Sequence, residues 1–202
     1  MSAHWLRISG LPEAHLTALR FRYAEPWRHY HVWAHVEAMF AELARVEARM
    51  ADPRAVAAAV LYHDAIYDPR SPRNERRSAE LLAAECENIL PPESLAAAVD
   101  MVLATETHAM PEGPAGPRAA DMAYLLDADL AILGAAPDAF DAYDAAIGRE
   151  YAHVPQADFR RGRAAVLQGF LDRPAIYLSA EFREIFEDRA RDNLRRALHG
   201  PG

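Results

Sequence analysis

Apolar residues recur along this chain at steps of three and four, and strict alternation is rare. Leu16 and Leu19, then Phe40, Leu43 and Val46, then Val56, Val60 and Leu61, then Leu95, Val99, Val102 and Leu103 each trace one face of a helix. Alanine-rich stretches between these positions favour helix, and β-branched runs are few. Breaks are expected at ADPR (51–54), DPRSPRN (68–74), LPPES (90–94) and PEGPAGPR (111–118), each of which carries proline or glycine. Asn74 or Ser71 is placed to cap a helix over ERRSAELLAAECENIL (75–90), and Pro53 and Pro92 sit where a first helical turn tolerates proline. The block DAFDAYDAAIGREYAHVP into QADFRRGRAAVLQGFL reads as two more helices divided near Pro155. No fixed-period repeat is visible. The pattern predicts a single all-α domain over residues 1–202, with its motifs at about 27–135 and C-terminal helices over 137–199. Usual helix lengths give about seven to nine helices.

Composition narrows the class without changing it. With 51% hydrophobic and 26% charged residues, a chain of 202 residues can bury one sizeable core. Its longest apolar runs, such as AVAAAVLY (55–62), stop short of the roughly 20 residues a membrane span needs. The N-terminus lacks the basic-then-apolar layout of a leader, so a cytoplasmic location and no membrane partner are expected. The single cysteine, Cys86, has no partner for a disulfide and is expected as a small buried residue. A net charge of −8 argues against a surface for duplex nucleic acid. A small anionic ligand would need a local positive feature, such as a metal or a few arginines. An exposed apolar helix face could support a homodimer.

Three short stretches carry chemistry. WRHYHVWAHVEAMF (27–40) reads as one amphipathic helix bearing His29, His31 and His35. His31 and His35 are four apart and share a face, anchored by Val36, Met39, Phe40 and Leu43, whereas His29 falls on another. That spacing presents two imidazoles to one cavity; it equally suits a buried histidine bonded to a nearby carbonyl. LYHDAIYD (61–68) ends an apolar helix with His63 and Asp64, and burying that pair is costly unless a cation compensates. A surface ion pair at a helix end would carry the same dipeptide. In LLDADLAILGA (125–135), Asp127 and Asp129 interrupt an apolar segment, which invites a cation or a paired base. Two residues apart on a helix, they point nearly opposite ways, so only one is expected to reach a metal.

A histidine, an adjacent His-Asp pair and a distant aspartate, in that order at element ends of an all-α chain, resemble the HD superfamily of metal-dependent phosphohydrolases. The resemblance implies an HD-type helical bundle. It also implies a divalent metal ion (Mn, Mg, Fe, Co, Ni or Zn) held by His35, His63, Asp64 and one of Asp127 or Asp129. YHVWAH (30–35) looks like the Tyr-His-Asn-x-x-His segment of cyclic-nucleotide phosphodiesterases, which implies a general acid at His31 and a ligand at His35. Val32 stands where those enzymes carry asparagine, an argument against a cyclic-nucleotide substrate. A closer likeness is to a bacterial group of predicted HD phosphohydrolases. It rests on RHYH…H (28–35), HDAIYD (63–68), NERRSA (74–79), TETH (105–108), DADLAILG (127–134) and REY (149–151), and covers about Trp27 to Tyr177.

The resemblance implies metal-assisted hydrolysis of a phosphomonoester or phosphodiester, with a small phosphorylated molecule as substrate and nucleotides the foremost class. His31 would protonate the leaving oxygen, and Asp64 would bridge a second metal or take the water's proton. Several further residues are candidates for a second metal or the phosphate. His108 lies where related multi-metal proteins carry a further histidine, with a capping or core role as its alternative. Glu75 is placed to hydrogen-bond a metal water, or simply to favour a helix N-terminus. Asp68 follows Asp64 by four residues, similar to an acidic pair of (p)ppGpp hydrolases, but Tyr67 occupies the partner position. Arg28 could bind phosphate, as could Arg73, Arg76 and Arg77, although helix-borne arginines are mostly solvated. The other reading is a non-catalytic HD-fold protein that binds a nucleotide or a metal.

Overall fold

The computed structural model describes residues 2–111 and 117–199. Helix α4 (Pro53–Tyr62) is the axis of the molecule. Asp52 caps it by accepting from the Ala55 amide at 2.9 Å, and Pro53 fills its first turn, where no amide partner is required. From Ala55 to Tyr62 every residue is fully buried. Alanines at 55, 57, 58 and 59 let neighbouring helices approach closely, while Val56, Val60 and Leu61 contribute about 1.5–3 kcal/mol each by burial.

Around this axis stand α1 (Ser2–Ser9), α3 (Trp33–Leu43), α5 (Asn74–Cys86), α6 (Pro92–Ala104) and α7 (Pro117–Asp129). Trp5 of α1 stacks on Phe40 of α3 with ring centroids 5.4 Å apart. Just past α2 (Glu13–Arg22), the Tyr23 hydroxyl donates to the Leu61 carbonyl. Asp121 of α7, fully buried, accepts from the amides of Ala51 and Asp52 and so ties α7 to the start of α4. The remaining elements are α8 (Pro137–Glu150), α9 (Gln156–Leu171), α10 (Ala180–His199) and two 3-10 turns, Glu47–Arg49 and Leu130–Gly134. Helix α10 lies against the second turn, where a Cβ on Gly134 would stand 2.6 Å from Phe186 Cβ. Only glycine permits that approach.

The described residues hold ten α-helices and no strand, so the all-α expectation is borne out. The number exceeds the expected range because the short α1 and α2 form separate helices ahead of the motifs. Pro53, Pro92 and Pro155 mark helix starts as expected, and Cys86 is buried. The break expected over 111–118 lies mostly outside the described residues. No described helix is long and apolar enough to cross a membrane.

Two local expectations are corrected. Neither Asn74 nor Ser71 caps α5: Asn74 is its first residue, and its side-chain amide instead closes the preceding loop through Asp68 and the Ser71 carbonyl. The stretch 27–40 is not one helix, because α3 begins only at Trp33 and His31 lies in the irregular segment before it. The amides of His29, Tyr30 and His31 all donate to one oxygen of Glu150, at 2.6, 2.7 and 3.1 Å. Amides gathered on a single carboxylate cannot serve a helical ladder, so the helix starts after them.

Candidate metal centre

Three helix ends meet beside α4. His35 stands in the first turn of α3, His63 ends α4 with Asp64 following it, and Asp129 ends α7. His63 Nδ1 donates to the Val60 carbonyl at 2.8 Å, which fixes the ring and turns Nε2 toward the other side chains. That nitrogen is buried and has no hydrogen-bond partner among the described residues. It lies 3.0 Å from Asp64 Oδ2, off the axis a hydrogen bond needs, and 3.9 Å from Asp129 Oδ1. His35 Nε2 lies 2.9 Å from Asp129 Oδ1.

The donor atoms of His35, His63 and Asp64 all fall within 4.8 Å of one another, so this group could hold a metal ion. Ligand atoms at right angles around a small divalent ion, each about 2.1 Å from it, stand roughly 3 Å apart. The spacings of 2.9 and 3.0 Å match that edge, and His63 Nε2, on giving up its proton, offers the lone pair such an ion would take. Two imidazoles and two carboxylates also balance its charge.

Electrostatics divide the histidines. Burial holds His35 below its usual pKa, so its ring stays neutral. Burial also disfavours charge on His63, but Asp64 and then Asp129 outweigh it and push that ring up to about 9. Asp64 and Asp129 are likewise disfavoured by burial, yet the surrounding imidazoles hold both carboxyls well below the carboxylate range. Without an ion, a proton on His63 compensates the two carboxylates.

No family model, curated protein or solved structure matches the chain. Asp129 is the aspartate that joins the cluster. Asp127, fully buried, faces away and accepts from the amides of Leu178 and Ser179 and from the Ser179 hydroxyl, at 2.6 to 2.7 Å. Its role is to fasten the chain leading into α10. His108 Nε2 donates to Asp129 Oδ2 at 2.9 Å, while His35 takes the other carboxylate oxygen. Its backbone is left-handed, at φ 47°, and Arg173 clamps it by donating to the carbonyls of His108 and Thr107.

Arg28 is not a phosphate ligand here. Its guanidinium is buried and donates to Glu25 and to the carbonyls of His31, Asp64 and Ala65, so it ties the two motif segments together. Asp68 is taken up by its own turn, accepting from the Arg70 amide, and lies outside the cavity beside the cluster. That cavity has a volume of about 900 Å³, and Asp64, Asp129, His31, His108 and Glu75 all line it. The Glu75 carboxyl is raised by burial and then by the charge of Asp64.

Glu150 was not singled out by the sequence, although it sits in REY. Besides the three amides, it binds His31 Nδ1 at 2.7 Å and the Tyr67 hydroxyl at 2.8 Å. Burial opposes its charge, but the His31 hydrogen bond prevails and brings its carboxyl to about 2. His31 responds in kind: burial alone would lower its pKa, while Asp64 and Glu150 raise it above the usual 6.5. The one signal available in the sequence was a glutamate at the C-terminal end of a helix, where the dipole disfavours it unless cations or amides compensate.

Proposed function

We propose that this chain is a metal-dependent phosphohydrolase of the HD type, hydrolysing a phosphomonoester or phosphodiester of a small molecule, with nucleotides the foremost class. The observation that carries the reading is His63 Nε2: buried, unpartnered and surrounded by His35, Asp64 and Asp129. A buried imidazole nitrogen that no hydrogen bond aligns with, crowded by further nitrogen and carboxylate donors, is the arrangement a cation site needs.

His35, His63, Asp64 and Asp129 would hold the ion, which when bound polarises the phosphoryl group and makes water nucleophilic near neutral pH. His31 supports catalysis beyond simple metal storage. Glu150 holds its Nδ1, which leaves Nε2 as the free nitrogen of a ring lining the cavity. As the phosphorus–oxygen ester bond breaks, the leaving oxygen takes the proton from His31 Nε2, and water completes the phosphate. Asp64, also lining the cavity, is the acceptor for the water's proton. Arg28 holds the His31 and Asp64 segments in register through their carbonyls.

The test is phosphate release from a panel of nucleotides and smaller phosphoesters, with Mn²⁺, Mg²⁺, Co²⁺ or Ni²⁺ and with chelator. Turnover that chelator abolishes is expected. His31→Ala should cut it by about 10²- to 10⁴-fold, the span of general acid catalysis, at unchanged metal content. No release from any member by the metal-loaded protein contradicts the proposal.

A further inference from the structure

Two guanidinium groups line the cavity beside the His-Asp cluster, and the chain gives them little to answer their charge. Arg163, on α9, donates from Nε to Asp144 Oδ1 at 2.8 Å. Its side chain is 13% exposed and that of Asp144 38%, so a mostly buried cation leans on an acid that water screens. The guanidinium is not used up by this contact: Nη2 is buried and has no hydrogen-bond partner among the described residues. Tyr143 lies against Arg163, its ring centroid 5.0 Å from Cζ, and burial pushes the Tyr143 hydroxyl up, so it brings no negative charge. Arg173, the second guanidinium, donates to the carbonyls of His108 and Thr107, which are neutral. Burial is the one cause that moves its pKa, and moves it down, the mark of a cation with no carboxylate at hand. A buried cationic donor without an acceptor is a cost that the fold itself does not recover.

The two arginines have different neighbours. Arg173 is tied to His108, which bonds Asp129, so it stands close to the metal ligands. Arg163 stands two rings away from them: Tyr143 meets Tyr30 with centroids 4.5 Å apart, and Tyr30 meets His35 at 4.8 Å. Both tyrosines line the cavity and form its wall between His35 and the Arg163 guanidinium. We infer that Arg163 seats a second anionic group of the ligand, so that the cavity takes a phosphoester bearing a further carboxylate or phosphate at the end of a short spacer. It rests on the reading of the His-Asp cluster as a phosphate-binding metal centre. The planar fork of an arginine matches the paired oxygens of either anion. Such a group supplies the charge that the stranded Nη2 lacks, and Arg173 adds a second unanswered positive charge to the same cavity. At about 900 Å³ the cavity has room for both anions and the spacer.

Phosphonates test this without turnover, because their carbon–phosphorus bond is not hydrolysed by phosphoester chemistry. Calorimetric titration of the Mn²⁺-loaded protein compares hexylphosphonate with phosphonohexanoate and hexanediphosphonate, which carry a second anion at the far end of the same chain. At least one of these two is expected to bind at least about tenfold more tightly than hexylphosphonate, and the tighter of them tells carboxylate from phosphate. Arg163→Met should lose that advantage while Mn²⁺ content and hexylphosphonate affinity hold. Arg163→Lys, which keeps a cation but not the planar fork, should retain a smaller advantage. An advantage that either variant leaves unchanged, or that the wild type lacks, overturns the inference and leaves the metal reading standing. Protein that takes up no Mn²⁺, or that holds it and binds none of the three ligands, overturns both.

Discussion

Asp127 and Asp129 stand two residues apart in one apolar segment, and their fates differ because each faces a different part of the molecule. Asp129 turns toward His35 and His108; Asp127 turns toward the chain before α10. Their alanine variants should therefore separate. Asp129→Ala should lose bound metal, read by elemental analysis, and retain most of its stability. Asp127→Ala should keep its metal and lose about 2–4 kcal/mol in denaturant unfolding, because buried amides of Leu178 and Ser179 lose their acceptor. The sequence could say that only one aspartate reaches a metal, since period 3.6 sends them apart. It could not say which, because that depends on where α10 returns. Glu150 tests the acid role at the same scale. Activity that needs protonated His31 falls as pH rises through a pKa lying above 6.5. Glu150→Gln removes one of the charges that raise it, so the descending limb of the kcat profile should move to lower pH. An unmoved limb would separate Glu150 from proton transfer.

At the scale of elements, helix ends decide what the site contains. The apolar rhythm made α4 and α6 legible and the last long block read as α8 and α9, with prolines fixing the starts of α4, α6 and α9 to within a few residues. The same rhythm over 27–40 misled, because Glu150, 119 residues beyond His31, withdraws three amides from the helix. No local pattern reports such a long-range acceptor. Arg28 shows the same limit: near the motifs in sequence it resembles a phosphate ligand, whereas the fold spends its guanidinium on carbonyls. The seat of α10 offers a check on close packing. Gly134→Ala would place a methyl 2.7 Å from the Phe186 carbonyl oxygen, so α10 must move. A loss of about 1–3 kcal/mol in urea unfolding is expected, with the metal retained.

At the scale of the whole molecule, metal and proton compete for His63. Its pKa is raised from 6.5 to about 9, so in metal-free protein the proton's stabilising effect is complete below 6.5 and is lost as pH rises through 9. The ion must displace that proton. Metal affinity should thus climb with pH up to about 9 and level off above it, by up to about tenfold per unit. Correspondingly, the gap in melting temperature between loaded and stripped protein should widen as pH is raised from 6.5 to 9. A gap that narrows over this interval would mean that His63 does not give up its proton to a metal. The most direct measurement is anomalous diffraction from crystals soaked in Mn²⁺. One peak is expected within about 2.3 Å of His35 Nε2, His63 Nε2 and a carboxylate oxygen each of Asp64 and Asp129. A peak that excludes His63 Nε2, or no peak beside it, would rule out a metal centre at this cluster.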